Sequence, residues 1–280
     1  MPLKVPSALC CMNETVKYRR GGAFLEREKR REREWNENQL EGRNAVLEVL
    51  RSGRDIEKIM VQKGNVEGTI KRIVAQAAEK GVVIQEVSRQ KLDELSQTKN
   101  HQGVIALVSA HDYVEVEDIL AAAKAKGEDP FIILLDGITD PHNLGAILRT
   151  AECAGAHGVI IPKRRSVGLN ATVGKTSAGA IEYMPVAKVT NLVKTMEQLK
   201  KEGLWFACAD MGENDHFDTN LKGPIGLVIG SEGEGVSRLV KENCDFTASI
   251  PMYGKISSLN ASVAAALLMY EVVRQRNYSK

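Results

Sequence analysis

Five apolar runs constrain this chain more than any other feature: "FIILLD" (131–136), "GVIIP" (158–162), "WFACAD" (205–210), "IGLVIG" (225–230) and "FTASIP" (246–251). Helical periodicity fills the stretches between them. Such a run has no polar face to give to water, so a strand made of it needs cover on both sides, as in a parallel sheet flanked by helices. Residues 130–280 are therefore expected to form an α/β domain with a parallel sheet.

A smaller α/β unit is expected ahead of it, over 38–110. In "EGRNAVLEVLRSG", Val46, Leu47 and Leu50 share one helical face and Gly53 is a stop. "IEKIMVQ", "VVIQEVS" and "GVIALVSA" read as strands, and "TIKRIVAQAAEKG" and "KLDELSQ" as helices. Residues 111–129 read as a linker with one short helix, and the domain boundary falls near Pro130. The first 37 residues read as a charged tail, since "FLEREKRREREW" mixes both signs. The alternative for this tail is an arm that touches RNA.

With 280 residues, 43% of them hydrophobic, the chain can bury real cores, and no run approaches the roughly 18 apolar residues of a membrane span. "VPSALCCM" is too short and too interrupted for a secretory core. A net charge of +2 argues neither for nor against nucleic acid, although Lys and Arg gather in local runs. The five cysteines (Cys10, Cys11, Cys153, Cys208, Cys244) show no CxxC or Cys/His spacing. A reduced, cytoplasmic protein without metal or membrane attachment is expected.

Two glycine-rich stretches imitate phosphate loops. "GLNATVGKTS" has five residues between Gly168 and Gly174 where a P-loop needs four, and reads better as a basic loop with Lys163, Arg164, Arg165 and Lys175. "GSEGEGVS" puts Arg238 where a dinucleotide fingerprint needs its third glycine, and Glu232 and Glu234 would repel a pyrophosphate. Three glycines (230, 233, 235) and two acids after a buried strand favour a ligand loop that does not hold phosphate.

In "SIPMYGKISSLNASVAAALLMYEVVRQR", a strand ends at Ile250 and an Ala-rich helix starts near Asn260. Ser258 or Asn260 would cap that helix, and the same polar groups could orient a substrate hydroxyl. In "DPHNLGAILRTAECAGA", Asp140 and Pro141 form a helix start, and Leu144, Ile147, Leu148 and Ala151 form its buried stripe. Arg149 lies off that stripe, in line with His142. It is either solvated or placed to grip a ligand phosphate through two parallel hydrogen bonds.

In that order and spacing, "DPHNLGAILRTAECAGAHGVII", "LVIGSEGEGVS" and "IPMYGKISSLNASVAAALLMYEVVRQR" resemble the three motifs of the SpoU/TrmH (SPOUT) family of RNA ribose 2′-O-methyltransferases. The front unit resembles the L30e-like RNA-binding domain of one branch, the bacterial large-subunit (23S) rRNA guanosine methyltransferases. The resemblance implies a parallel-sheet α/β fold with a deep trefoil knot, a homodimer, RNA as partner and S-adenosylmethionine as cofactor. Carried over by position, the cofactor contacts fall on Gly230, Ile250 and Leu259. The polar functional positions fall on Asn143, Arg149, Glu232, Ser258 and Asn260.

The implied reaction is in-line attack of a ribose 2′-hydroxyl on a methyl group, limited by a weak nucleophile and its alignment. Arg149 stays protonated because its pKa exceeds about 12, so it is expected to hold the neighbouring phosphate, with Ser258 relaying the proton. Asn143, Glu232 and Asn260 would fix the loop and the ribose. A neutral Arg149 acting as base is the minor alternative. Of His101, His111, His142, His157 and His216, none joins a metal-like cluster, and His142, beside the first motif, is expected at the surface or at a helix start. The rival substrate is tRNA, and the rival class is a non-catalytic RNA-binding protein with the same fold.

Overall fold

The computed structural model describes residues 38–52, 54–64, 68–212 and 215–278. The tail read over 1–37 and the stop proposed at Gly53 lie outside them.

In chain order the front part contains β1 (Gln39–Glu41), α1 (Arg43–Ser52), β2 (Ile56–Gln62), α2 (Thr69–Glu79), β3 (Ile84–Val87), α3 (Arg89–Leu95) and β4 (Val104–Val108). Its sheet runs β1-β4-β2-β3, with β4 antiparallel to both neighbours and β2 parallel to β3. Val46, Leu50, Ile70 and Ile73 from α1 and α2 pack on one face with Ile59 and Val104. Leu92 of α3 packs on the other face with Met60 and Ile105. The sequence reading missed β1, because three residues are too few to show an alternation.

Glu41, the last residue of β1, organises the 96–103 loop. Its carboxylate accepts from Ser96 Oγ (2.7 Å), the Gln97 N–H (2.5 Å), Gln39 Nε2 (2.7 Å) and the Thr98 hydroxyl. Burial pushes its pKa up, but the bonds from Thr98, Gln97, Ser96 and Gln39 outweigh burial and bring it from 4.5 to about 2. A depressed carboxylate stabilises the fold above its unfolded pKa and loses that contribution as pH falls toward the folded value. The native protein is therefore expected to lose stability between pH 4.5 and about 2. Glu41→Gln should be weaker at neutral pH and flatter across that window, as followed by circular dichroism against pH. An equally steep acid dependence in both proteins would contradict this.

The back part continues with α4 (Val116–Lys126), β5 (Phe131–Asp136), α5 (Pro141–Cys153), β6 (Gly158–Pro162), α6 (Ala171–Thr176), β7 (Val186–Val189), α7 (Leu192–Lys201), β8 (Trp205–Ala209), β9 (Ile225–Gly230), α8 (Arg238–Glu242), β10 (Phe246–Ala248) and α9 (Ala261–Tyr278). Its six strands run β10-β8-β9-β5-β6-β7, and every pair is parallel. Alternation along β5 divides the core. Phe131, Ile133 and Leu135 pack with Leu144, Ile147 and Leu148 of α5 and Leu268 of α9. Ile132 and Leu134 pack with Ile119 of α4 and Met196 and Leu199 of α7. Both faces are covered, as the apolar runs require.

One expectation needs correction. "GLNATVGKTS" is not a basic loop throughout, because Asn170 Oδ1 accepts from the N–H groups of Thr172 and Val173 (both 3.0 Å) and starts α6. The strand β7, "VAKV", was not foreseen, since the lysine interrupts its apolar run. The 111–129 segment is built into this sheet: Val114 bridges Ala187 of β7, and Ile119 packs where Gly158 leaves no room for a Cβ. Among the described residues, no helix is long and apolar enough to cross a membrane.

Candidate active site

Parallel strands bring all their C-terminal ends to one edge of the sheet, where α/β proteins place their ligands. At that edge β9 ends on Gly230 and β5 on Asp136, and the chain leaving β10 runs through 249–260 into α9. The 231–236 loop is pinned at both ends. Ser231 and Gly235 exchange backbone hydrogen bonds (3.1 and 3.0 Å), and Asp136 Oδ2 accepts from the Ser237 N–H at 2.8 Å. Gly230 has no space for a side chain: a Cβ there would fall 2.1 Å from the Gly235 carbonyl carbon and 2.2 Å from the Val236 nitrogen.

A cavity of about 360 Å³ lies between this loop and the 249–259 segment. Gly230, Glu232, Ile250, Ser258 and Leu259 are among the residues that line it, and Arg149 is not. The sequence reading missed Asp210 and Met211, which complete the wall beyond β8. Their position just past a parallel strand was the signal available. Asp210 is ion-paired with Lys241 across 2.5 Å.

Beside the cavity, three residues from three segments close a triangle. Asn143 Nδ2 donates to Glu232 Oε1 at 3.1 Å, Asn260 Nδ2 donates to Asn143 Oδ1 at 2.9 Å, and Asn260 Nδ2 also donates to Glu232 Oε1. Asn260 Oδ1 accepts from the N–H groups of Ser262 (3.0 Å) and Val263 (3.3 Å), so Asn260 rather than Ser258 caps α9. That leaves the Ser258 hydroxyl, exposed on the cavity wall, outside the cap. Asn143 is presented by α5, started by Asp140, which accepts from the His142 N–H at 3.1 Å, and by Pro141.

Arg149 is exposed on α5 and makes no hydrogen bond or ion pair with another described residue. It shares that face with His142, seven residues earlier. Its Cα lies about 9 Å along the axis from that of Asn143, at 1.5 Å per residue. Helical side chains lean toward the N-terminus, so the guanidinium reaches back along α5, on the exposed face and about 120° round the helix from the buried Asn143.

Three of the histidines hold structure, and His142 is exposed at the start of α5. His101 bonds Asp93 (2.9 Å), His157 bonds Glu128 (3.1 Å) and the Phe131 N–H (3.0 Å), and His216 faces the Ser249 carbonyl (3.0 Å). Burial pushes the pKa of His157 down, against the opposing pull of Glu128. Among the described residues, no group of three or more His, Cys, Asp or Glu could hold a metal ion.

Residues 130–270 match the SpoU rRNA methylase family, and residues 39–114 match the RNA 2′-O ribose methyltransferase substrate-binding family. The protein of Bacillus subtilis (strain 168) assigned by name to the TrmH family of tRNA/rRNA methyltransferases, YacO, is 52% identical over 238 residues, or 84% of this chain and 95% of that protein. A Staphylococcus saprophyticus protein assigned to the same family is 48% identical, covering 85% and 95%. Among solved structures, the SpoU methyltransferase AviRb from Streptomyces viridochromogenes, crystallised with AdoMet, superposes with a TM-score of 0.54 at 24% identity over 85% of this chain and 89% of that one. An AdoMet-bound rRNA methyltransferase from Sinorhizobium meliloti gives 0.54 at 22%, over 86% and 88%. These two likenesses show the fold. With the family match over half the chain and relatives of this identity, the chain belongs to the SpoU/TrmH family of RNA methyltransferases.

Proposed function

We propose that this protein transfers a methyl group from S-adenosylmethionine to a ribose 2′-hydroxyl of RNA, with a guanosine of large-subunit (23S) rRNA as its target. The observation that carries the reading is the cavity lined by Gly230, Ile250 and Leu259 with the Asn143–Glu232–Asn260 triangle at its side. A volume of about 360 Å³ suits a small-molecule ligand. Glu232 and Glu234 on its walls suit a cation such as a sulfonium and disfavour a phosphate. Gly230 lets the backbone of the 231–236 loop close directly against the end of β9, an approach that any side chain would block. The residues present therefore fit this cofactor.

When bound, S-adenosylmethionine supplies a methyl group on a sulfonium, and the thioether that departs is neutral and needs no acid. This chain's residues have two tasks, placing the 2′-hydroxyl and accepting its proton. Arg149 grips the phosphate beside the reacting ribose and fixes the hydroxyl through the backbone. Ser258, exposed on the cavity wall, takes the proton and passes its own hydroxyl proton to water. The triangle holds the 231–236 loop, α5 and the start of α9 in one arrangement, so that wall and ribose site keep their spacing.

The reading extends to the assembly. Val263, Leu267 and Tyr270 of α9 are 47%, 45% and 51% exposed and follow one another at helical spacing, an apolar stripe suited to a homodimer. The trefoil knot belongs, on this reading, where the 231–236 loop meets the segment that leads into α9, and the front sheet is the L30e-like RNA-binding domain. A protein that works on rRNA belongs in the cytoplasm.

The test is transfer of radiolabelled methyl from S-adenosylmethionine to purified large-subunit rRNA and, separately, to bulk tRNA, with ribose-methylation mapping. Label at one rRNA guanosine is expected. Label on tRNA alone would keep the chemistry and overturn the target. Cofactor binding without label on either RNA would favour a non-catalytic RNA-binding protein.

A further inference from the structure

A groove of about 790 Å³ separates the front sheet from the C-terminal edge of the large sheet. One wall carries Asn38, Lys58 and Leu107, and the other carries Thr139 and the 163–168 segment that leaves β6. Lys58, Lys163, Arg164 and Arg165 all face it, and none of their side chains makes a hydrogen bond or ion pair with another described residue. The carboxylate among the lining residues, Glu57, is engaged: Lys188 and the Tyr113 hydroxyl both donate to it. Burial, then the charge of Glu57 and its hydrogen bond, keep the Tyr113 phenol protonated. Four cations therefore face the groove with their charge uncompensated.

The backbone supplies a second, independent observation. Arg165 has φ +58°, in the left-handed region that costs a residue with a side chain and suits glycine. A bulky cation held there is retained against local strain, as at sites of function. Gly168 makes room for the paired carboxylate, since a Cβ there would fall 2.0 Å from Glu57 Oε2. The basic segment is tied to the active-site edge by the Val167 N–H, which donates to the Ile138 carbonyl at 2.9 Å, two residues before the Asp140 cap of α5.

We propose that this groove is a second RNA-binding surface, a track in which Lys58, Lys163, Arg164 and Arg165 neutralise backbone phosphates of nucleotides flanking the one that is modified. The inference deepens the methyltransferase reading and rests on it for the identity of the polymer. Cations spread over two sheets suit a chain of phosphates, whereas a single anion would be met by clustered, buried donors. Leu107, Val83 and Val167 between the charges offer apolar surface to sugars and bases. Binding of this kind is sequence-independent, so it would contribute affinity and orientation and leave base choice to other surfaces.

The experiment compares the full chain with an Arg164→Ala/Arg165→Gly double variant. Binding of large-subunit rRNA and of poly(U) is measured against salt, together with steady-state methyl transfer. Glycine removes the left-handed strain, so the variant should melt no lower than native. Its RNA affinity should fall by about tenfold or more at roughly 0.1 M salt, and the slope of log affinity on log salt should shrink by about 0.7 for each phosphate that is no longer neutralised. KM for RNA should rise in parallel, with kcat within about twofold and S-adenosylmethionine binding unchanged. An unchanged salt slope and RNA affinity would overturn the groove. Displacement of RNA by polyglutamate as readily as by poly(U) would overturn RNA as its occupant and favour an acidic protein. If the slope shrinks as expected but native protein transfers no methyl to any RNA, the groove stands and the reading of the cavity falls.

Discussion

Gly230→Ala is expected to lose S-adenosylmethionine binding by more than about a hundredfold, and methyl transfer with it. The alanine methyl would land 2.1 Å from the Gly235 carbonyl carbon and 2.2 Å from the Val236 nitrogen. Both are backbone atoms, so no rotamer change relieves the clash, and either the end of β9 or the whole 231–236 loop has to move. Forcing extra volume into a closed site costs about 1–3 kcal/mol and distorts what surrounds it. Here the surroundings are the cavity wall and, through Glu232, the hydrogen-bonded triangle. Gly233→Ala separates the two causes of loss, because it adds a methyl on the cavity wall with no protein atom within 4 Å of its Cβ position. Titration calorimetry with S-adenosylmethionine and thermal melting separate the two effects. Native-like binding by Gly230→Ala would show that the loop yields freely and is not the cofactor's cradle.

Arg149→Ala should lower kcat by about a hundredfold or more, equivalent to ~3 kcal/mol of lost transition-state stabilisation at about 1.36 kcal/mol per decade. S-adenosylmethionine binding should be retained, because Arg149 does not line the cavity. Its exposure means that the loss cannot be blamed on unfolding. Arg149→Lys should recover only a small part of the rate, since an ammonium is a point charge and cannot make the two parallel bonds of a guanidinium. Single-turnover methylation of rRNA is the measurement. Near-normal turnover in the lysine variant would count against a bidentate phosphate grip.

The large sheet was legible because burial on both faces leaves a mark in sequence. "FIILLD" and "IGLVIG" admit no polar face, and both became central strands. β7 escaped because it lies at the sheet's edge, where Lys188 can leave the core and meet Glu57. α6 escaped because a helix of six residues has no room for a periodic stripe, and its start depends on a side-chain cap at Asn170. At the site, the cap of α5 could be read from Asp140 and Pro141, since capping is local chemistry. The bonds among Asn143, Glu232 and Asn260 could not be read, because Glu232 and Asn260 lie 89 and 117 residues from Asn143 along the chain. Pattern shows which face of an element is buried. Side-chain pairings across segments depend on how elements are stacked, which propensity and periodicity do not encode.

Glu57 has a consequence for how a substrate is chosen. One carboxylate on β2 is held by Lys188 of β7 and by Tyr113 of the connecting segment, so a single acid belongs to both halves of the molecule. Residues 111–129 then act as a spar and not as a tether. The ion pair and the hydrogen bond brace the front sheet against the sheet that carries the cavity. On the function proposed above, selecting an RNA amounts to measuring it. A molecule passes when the fold gripped by the front sheet and the ribose to be modified already stand the right distance apart.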